Sequence, residues 1–234
     1  MAELFAAGLP ISIQLGGSAL ILALLLGGIL GITAALYQNK PADYAVIATA
    51  TAGSTIPTFV IAPLFQLFFA LTLKWFPLGF GANPDLDPGW NLTYIGSVLH
   101  HAILPMVTLV VSMLATWIFT MRNAMVNVLG EDYITMARAK GLSSNRIMIH
   151  YAARNAILPV VTAVSMALGF AVAGQVFIET VYNYPGVGQL IIKSVSARDY
   201  PLMQACFLLI VLCVLAANFL ADVLYVFLDP RLRK

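Results

Sequence analysis

The sequence predicts an all-α, polytopic integral membrane protein, one domain over residues 1–234 arranged as a helical bundle of five transmembrane helices. Three observations predict it. The chain is 61% hydrophobic and 9% charged, with mean hydropathy +0.91, whereas about a quarter of the residues in a soluble domain carry charge. Five uncharged runs, Leu4–Asn39, Tyr44–Leu73, Pro88–Met121, Asn155–Ile178 and Tyr200–Ala221, each supply the roughly 20 residues that cross a hydrocarbon core about 30 Å thick. Lys and Arg are absent from the runs, and five of the twelve fall in one interval between them. A charge at mid-bilayer costs on the order of 3 kcal/mol on insertion scales, which explains why the runs are clean.

In chain order, Met1–Pro10 carries Glu3 and no basic residue. It lacks the positive lead of a secretory signal, so the first span is expected to stay in the mature protein. That span, Ile11–Leu36, has Gly16 and Gly17, then Gly27 and Gly31 in GxxxG spacing. Small residues at this spacing let two helices pack closely, with the partner left open. A turn over 37–43 holds Lys40 and Pro41. In the second span, Tyr44–Leu73, Pro57 and Pro63 each remove a backbone donor and bend the helix. Such bends line transport pathways in some proteins and are fixed packing features in others.

The stretch 74–97 reads as a loop because Pro77, Gly79, Gly81, Pro84, Pro88 and Gly89 preclude a continuous helix. Trp75, Phe76, Phe80 and Trp90 suit a membrane interface. Asn91–Thr93 is formally a glycosylation sequon, a motif short enough to arise by chance. His100 and His101 open the third span, Leu99–Met121. Adjacent histidines diverge on a helix, so they read as interface residues bonded to water or headgroups and not as a metal face. The fourth span, Pro159–Ile178, is followed by a turn at Pro185, Gly186 and Gly188 and a short helix over 189–197. The fifth, Pro201–Leu228, contains Asn218 and Asp222. Asp222 reads as a helix contact, with a pathway role as the alternative. Cys206 and Cys213 lie about 10 Å apart along a helix axis, too far to pair, and read as packing residues.

The interval from 122 to 158 is the polar exception. Glu131 and Asp132 stand where a short helix begins, Arg138 and Lys140 where it ends, and Gly141 follows as a left-handed cap. Ser143 and Ser144 are placed to cap a second helix carrying Ile147, Tyr151 and Leu158, with Pro159 opening the next span. Ala137, Ala139 and Gly141 are small enough for another protein's backbone to come close. An ordinary basic loop held inside by its charge is the plainer reading.

The run Ala137–Gly141, with Glu131-Asp132-Tyr133 before it and Arg154–Pro159 after it, resembles the "EAA" loop of ABC-transporter permeases, in the form found in the peptide and nickel permease subfamily. It departs from the general motif at Thr135, where the eponymous glutamate often stands. Glu179–Gly188 and Arg198–Pro201 extend the resemblance, which covers residues 10–234, and the chain looks short at its start, as though lacking the family's first helix. The resemblance implies the ABC type I importer permease fold and a transmembrane subunit that moves di- or oligopeptides across the cytoplasmic membrane. Its implied partners are a second homologous permease, two ABC ATPase subunits, an extracytoplasmic substrate-binding protein and the bilayer. Glu131, Asp132, Ala137, Arg138, Ala139, Lys140 and Gly141 would carry the coupling to the ATPases within the 131–159 loop.

Alternation over five spans puts nine Lys and Arg residues on one face and Lys74, Lys193 and Arg198 on the other. The positive-inside rule then sets the 122–158 loop and the C-terminus in the cytoplasm and the N-terminus outside. No phosphate loop, HExxH or nucleophile elbow occurs, so ATP hydrolysis is expected on partners, with no catalytic residue, metal or cofactor in this chain. No nucleic-acid role is expected. An ion-gradient transporter or channel, a membrane scaffold, and uptake of nickel or oligosaccharides are the competing functions.

Overall fold

The computed structural model describes residues 2–172 and 175–228, and every regular element among them is helical. Two long rods dominate, α1 (Ala2–Leu36) and α4 (Leu92–Leu129), of 35 and 38 residues. At 1.5 Å per residue they measure about 52 and 57 Å, so both overshoot a hydrocarbon core of about 30 Å. Between them lie α2 (Pro41–Thr55) and α3 (Thr58–Phe65), the latter continuing as a π-helical turn over Gln66–Thr72. Then come α5 (Asp132–Ala139), the single turn α6 (Ser144–Arg146), a π-helical segment Ile147–Ala153, and α7 (Arg154–Val172). Finally α8 (Val176–Val181), α9 (Val187–Ser196) and α10 (Tyr200–Leu228) complete the bundle. Among the described residues α1, α4 and α10 are each long and apolar enough to cross a membrane, and α2 with α3 makes a fourth such unit if its bend is counted as one span.

That bend is 91°. It falls at Pro57, which removes a donor and drives Ile56 into extended backbone, φ −86° and ψ 117°. The expected second span is therefore a broken one. Pro63 and Pro105 lie inside α3 and α4 without ending them.

The partner of the first helix, open in the sequence, is α4. A Cβ added at Gly27 would stand 2.5 Å from Trp117 Cβ, and one at Gly31 would stand 2.7 Å from the Ile118 carbonyl oxygen. Along this seam Leu15, Ala19 and Ala23 pack with Leu104, Leu109 and Trp117 in the principal core. A second cluster joins Phe5, Val187, Ile191 and Cys206, so Cys206 is a packing residue. Both cysteines are free thiols.

Several boundaries differ from expectation: α1 starts at Ala2, nine residues before the expected Ile11, and the expected fourth span to Ile178 is divided between α7 and α8. Helix α4 starts at Leu92, seven residues before the expected Leu99, because Asn91 Oδ1 caps it by accepting the Tyr94 N–H at 2.7 Å. It also runs on to Leu129, past the expected end at Met121. His100 and His101 therefore sit within the helix, and each meets a carbonyl, that of Trp75 at 3.1 Å and that of Ser97 at 2.8 Å, where water or headgroups were expected. Lastly, α6, the π-helical segment and α7 run on without interruption, so Pro159 lies inside one rod and opens nothing. The side chains of Leu158 and Asp222, and the tail 229–234, lie outside the described residues.

The bundle has two distinct ends. At one, the first turns of α1 meet α9, and the Phe80 N–H donates to the Tyr182 carbonyl at 3.0 Å, docking the 74–91 loop on the 182–186 turn. At the other, the 37–43 turn, the end of α4, and α5 with α6 come together.

Candidate coupling site

Helix α5 forms where the charge order said it would. Asp132 occupies the first turn and Arg138 the last, complementing the helix dipole. Beyond the last turn Gly141 takes φ +76°, a left-handed conformation that favours glycine, and its N–H returns to the Arg138 carbonyl at 2.9 Å. The Leu142 N–H returns to the Ala137 carbonyl at 3.3 Å, closing the cap. A Cβ at Gly141 would meet open space, so backbone conformation, not close approach, is what the position demands.

Two residues fasten this short helix to its own bundle. Ile134 and Ala137, three apart on one face, are 0% and 4% exposed and join the principal core. Glu131, Asp132, Arg138, Ala139, Lys140 and Gly141 are exposed, and Met136 is 61% exposed. Six of the seven singled-out residues thus remain accessible, whereas Ala137 is small because α5 lies close against this chain itself. The outward surface is a mixed one of a thioether and two cations, Arg138 and Lys140.

The corner leads into the rod of α6 and α7. Ser143 holds the N-cap position without a side-chain bond, and its carbonyl accepts the Ile147 N–H at 3.1 Å. Ile147, Met148 and Ala152 face the core, while His150 and Tyr151 face out. Asn155 Nδ2 donates to the Tyr151 carbonyl at 2.8 Å and to Tyr133 Oη at 3.0 Å. That amide ties α5 to the rod.

Two polar anchors escaped sequence reasoning. Arg122, grouped by sequence with the basic interval, is instead committed inside the protein. Its Nε and Nη2 each donate at 2.7 Å to the two carboxylate oxygens of Asp43, which is 1% exposed and also accepts the Asn39 N–H at 3.0 Å. This bidentate pair pins the 37–43 turn to α4. At the opposite end Glu179, 0% exposed, accepts from Ser12 Oγ at 2.7 Å and from the N–H groups of Gln175, Gly188 and Gln189. Its carboxylate faces the first turn of α9, where unpaired N–H groups favour negative charge. Burial pushes the neighbouring Tyr184 phenol up, and Glu179 adds to that. Gly186 is required here, since a Cβ would stand 2.3 Å from Glu179 Oε2.

Comparison with known proteins gives this architecture a family. A family model described as "Binding-protein-dependent transport system inner membrane component" matches residues 6–234. The chain is 39% identical over 231 residues to the oligopeptide transport system permease protein OppB of Salmonella typhimurium, covering 99% of this chain and 71% of that one. With the same coverage it is 38% identical to OppB of Escherichia coli. Among solved structures, the inward-facing MetNI methionine ABC transporter matches with a TM-score of 0.78 over 98% of both chains, at 15% identity. That likeness establishes the fold, the ABC type I importer permease. With the family model spanning nearly the whole length, the chain belongs to the binding-protein-dependent transport system inner membrane components.

Proposed function

We propose that this chain is the membrane-spanning subunit of an ATP-driven importer of di- or oligopeptides, working with a second related permease, two ATPase subunits and an external binding protein. The observation that carries the reading is α5, a short helix bolted to the core by Ile134 and Ala137 and turned outward through Met136, Arg138, Ala139 and Lys140. Its outward face fits a groove on an ATPase subunit. When the ATPases close on nucleotide, force on α5 passes through the Tyr133–Asn155 bond and the shared core to the rod that becomes α7. The names of the relatives support peptides as cargo.

Orientation follows from charge. The α5 end holds Lys40, Arg122, Arg138, Lys140, Arg146 and Arg154, while the other holds Lys74, Lys193 and Arg198. The α5 end therefore faces the cytoplasm and the N-terminus faces out.

The test is uptake of a labelled tripeptide by vesicles holding the assembled subunits, with ATP or with an ion gradient alone. ATP-dependent uptake is expected, and gradient-driven uptake without ATP would overturn the reading. Ala139→Trp, placed on the outward face, is expected to abolish uptake and ATPase copurification while membrane levels stay unchanged. Normal uptake by that variant would remove α5 from the coupling path.

A further inference from the structure

Beside α5, on the same end of the bundle, lies a surface groove of about 580 Å³ lined by Tyr133, Arg146, His150, Tyr151, Arg154 and Asn155. We propose that this groove binds the phosphate headgroup of an anionic phospholipid, the cations gripping the phosphodiester while the acyl chains run down the start of α7.

The charge of the groove is uncompensated. Its lining contains no acidic residue, and among the described residues the side chains of Arg146, His150 and Arg154 have neither an ion-pair nor a hydrogen-bond partner. Arg122, by contrast, is saturated by Asp43. Two guanidinium forks opening on one concavity are suited to the oxygens of a phosphate. Tyr133 adds a donor, because its Oη already accepts from Asn155 and its own O–H remains free to give. The π-helical winding over Ile147–Ala153 keeps residues four and five apart on one side, and such segments recur at functional sites.

Height and apolar surroundings favour a lipid over a soluble protein partner. Arg154 is the first residue of α7, so the groove lies where the rod enters the bilayer. Ile149 and Ile157, on the same rod as the cations, are 64% and 50% exposed, apolar surface that hydrocarbon covers well. Tyr133 and Tyr151 have the amphipathic form that sits at headgroup level.

The test uses the full chain with its co-expressed partner subunits, in discs of phosphatidylcholine with or without phosphatidylglycerol. Native mass spectrometry is expected to find phosphatidylglycerol retained through delipidation and thermal unfolding to be raised by it. Arg146→Gln with Arg154→Gln should weaken that retention about 30-fold. Arg146→Lys with Arg154→Lys, which keeps the charge and removes the forks, should weaken it less while preserving the fold. Arg198→Gln, at the other end, should leave retention unchanged; an equal loss there would overturn the proposal. Equal protection by glycerol phosphate, which has the headgroup without chains, would mean a soluble-anion site and overturn the lipid assignment. Loss of ATPase subunits from the double variant with phosphatidylglycerol retention intact would make the groove a protein interface instead. None of these outcomes depends on whether peptides are the cargo.

Discussion

At Gly27 and Gly31 the backbone of α1 lies directly on α4, because the nearest atoms of Trp117, Ile118 and Met121 occupy the space a side chain would need. In lipid, burying apolar surface gives little net drive between helices, so this contact-distance packing is what holds the pair together. Gly31→Leu is expected to cost about 3 kcal/mol or more and to lower sharply the fraction of protein that stays monodisperse in detergent. The Asp43–Arg122 pair is a different kind of contact. Asp43→Asn leaves Arg122 without its counter-charge in a nearly closed site and should destabilise by about 3 kcal/mol, read by thermal unfolding. Replacing both, Asp43→Leu with Arg122→Met, should recover most of that loss. Recovery would separate the burden of a stranded charge from any direct contribution of the pair.

The elements around α5 act as one piece because α6, the π-helical segment and α7 share a continuous backbone from 144 to 172. Ala153→Gly should soften that rod at its π-to-α junction by about 1 kcal/mol. The expected phenotype is ATP hydrolysis that persists while peptide uptake falls, measured side by side in vesicles. How far these elements were legible in the sequence depended on range. Helix α5 could be read closely, since Asp132, Arg138 and Gly141 are local signals acting within one or two turns. The start of α4 was hidden because Pro88 and Gly89 mark a loop so strongly that Asn91 passed as part of it, although it is the cap. Pro159 misled for the opposite reason. A proline reads as a boundary, yet α7 continues through it. The anchors were beyond reach altogether, as Arg122 finds Asp43 across 79 residues with no pattern in between.

On the scale of the whole molecule, the two ends differ in what they are built to do. One is held by Glu179, Ser12 and the turn against the 74–91 loop, and the other by the ion pair and the packing of α5. Impermeant thiol labelling of intact cells checks which end is which, in a chain with Cys206 and Cys213 replaced by alanine. Lys193→Cys should react and Arg138→Cys should react only after the membrane is opened; the reverse would invert the orientation. The Ser12–Glu179 bond also sets an order of events during synthesis. The two residues are 167 apart, and at the usual pace of a ribosome the second follows the first by about 10–30 s. Through that wait the Ser12 end of α1 has no clasp, and it is fastened to the turn before α9 only once Glu179 has been made.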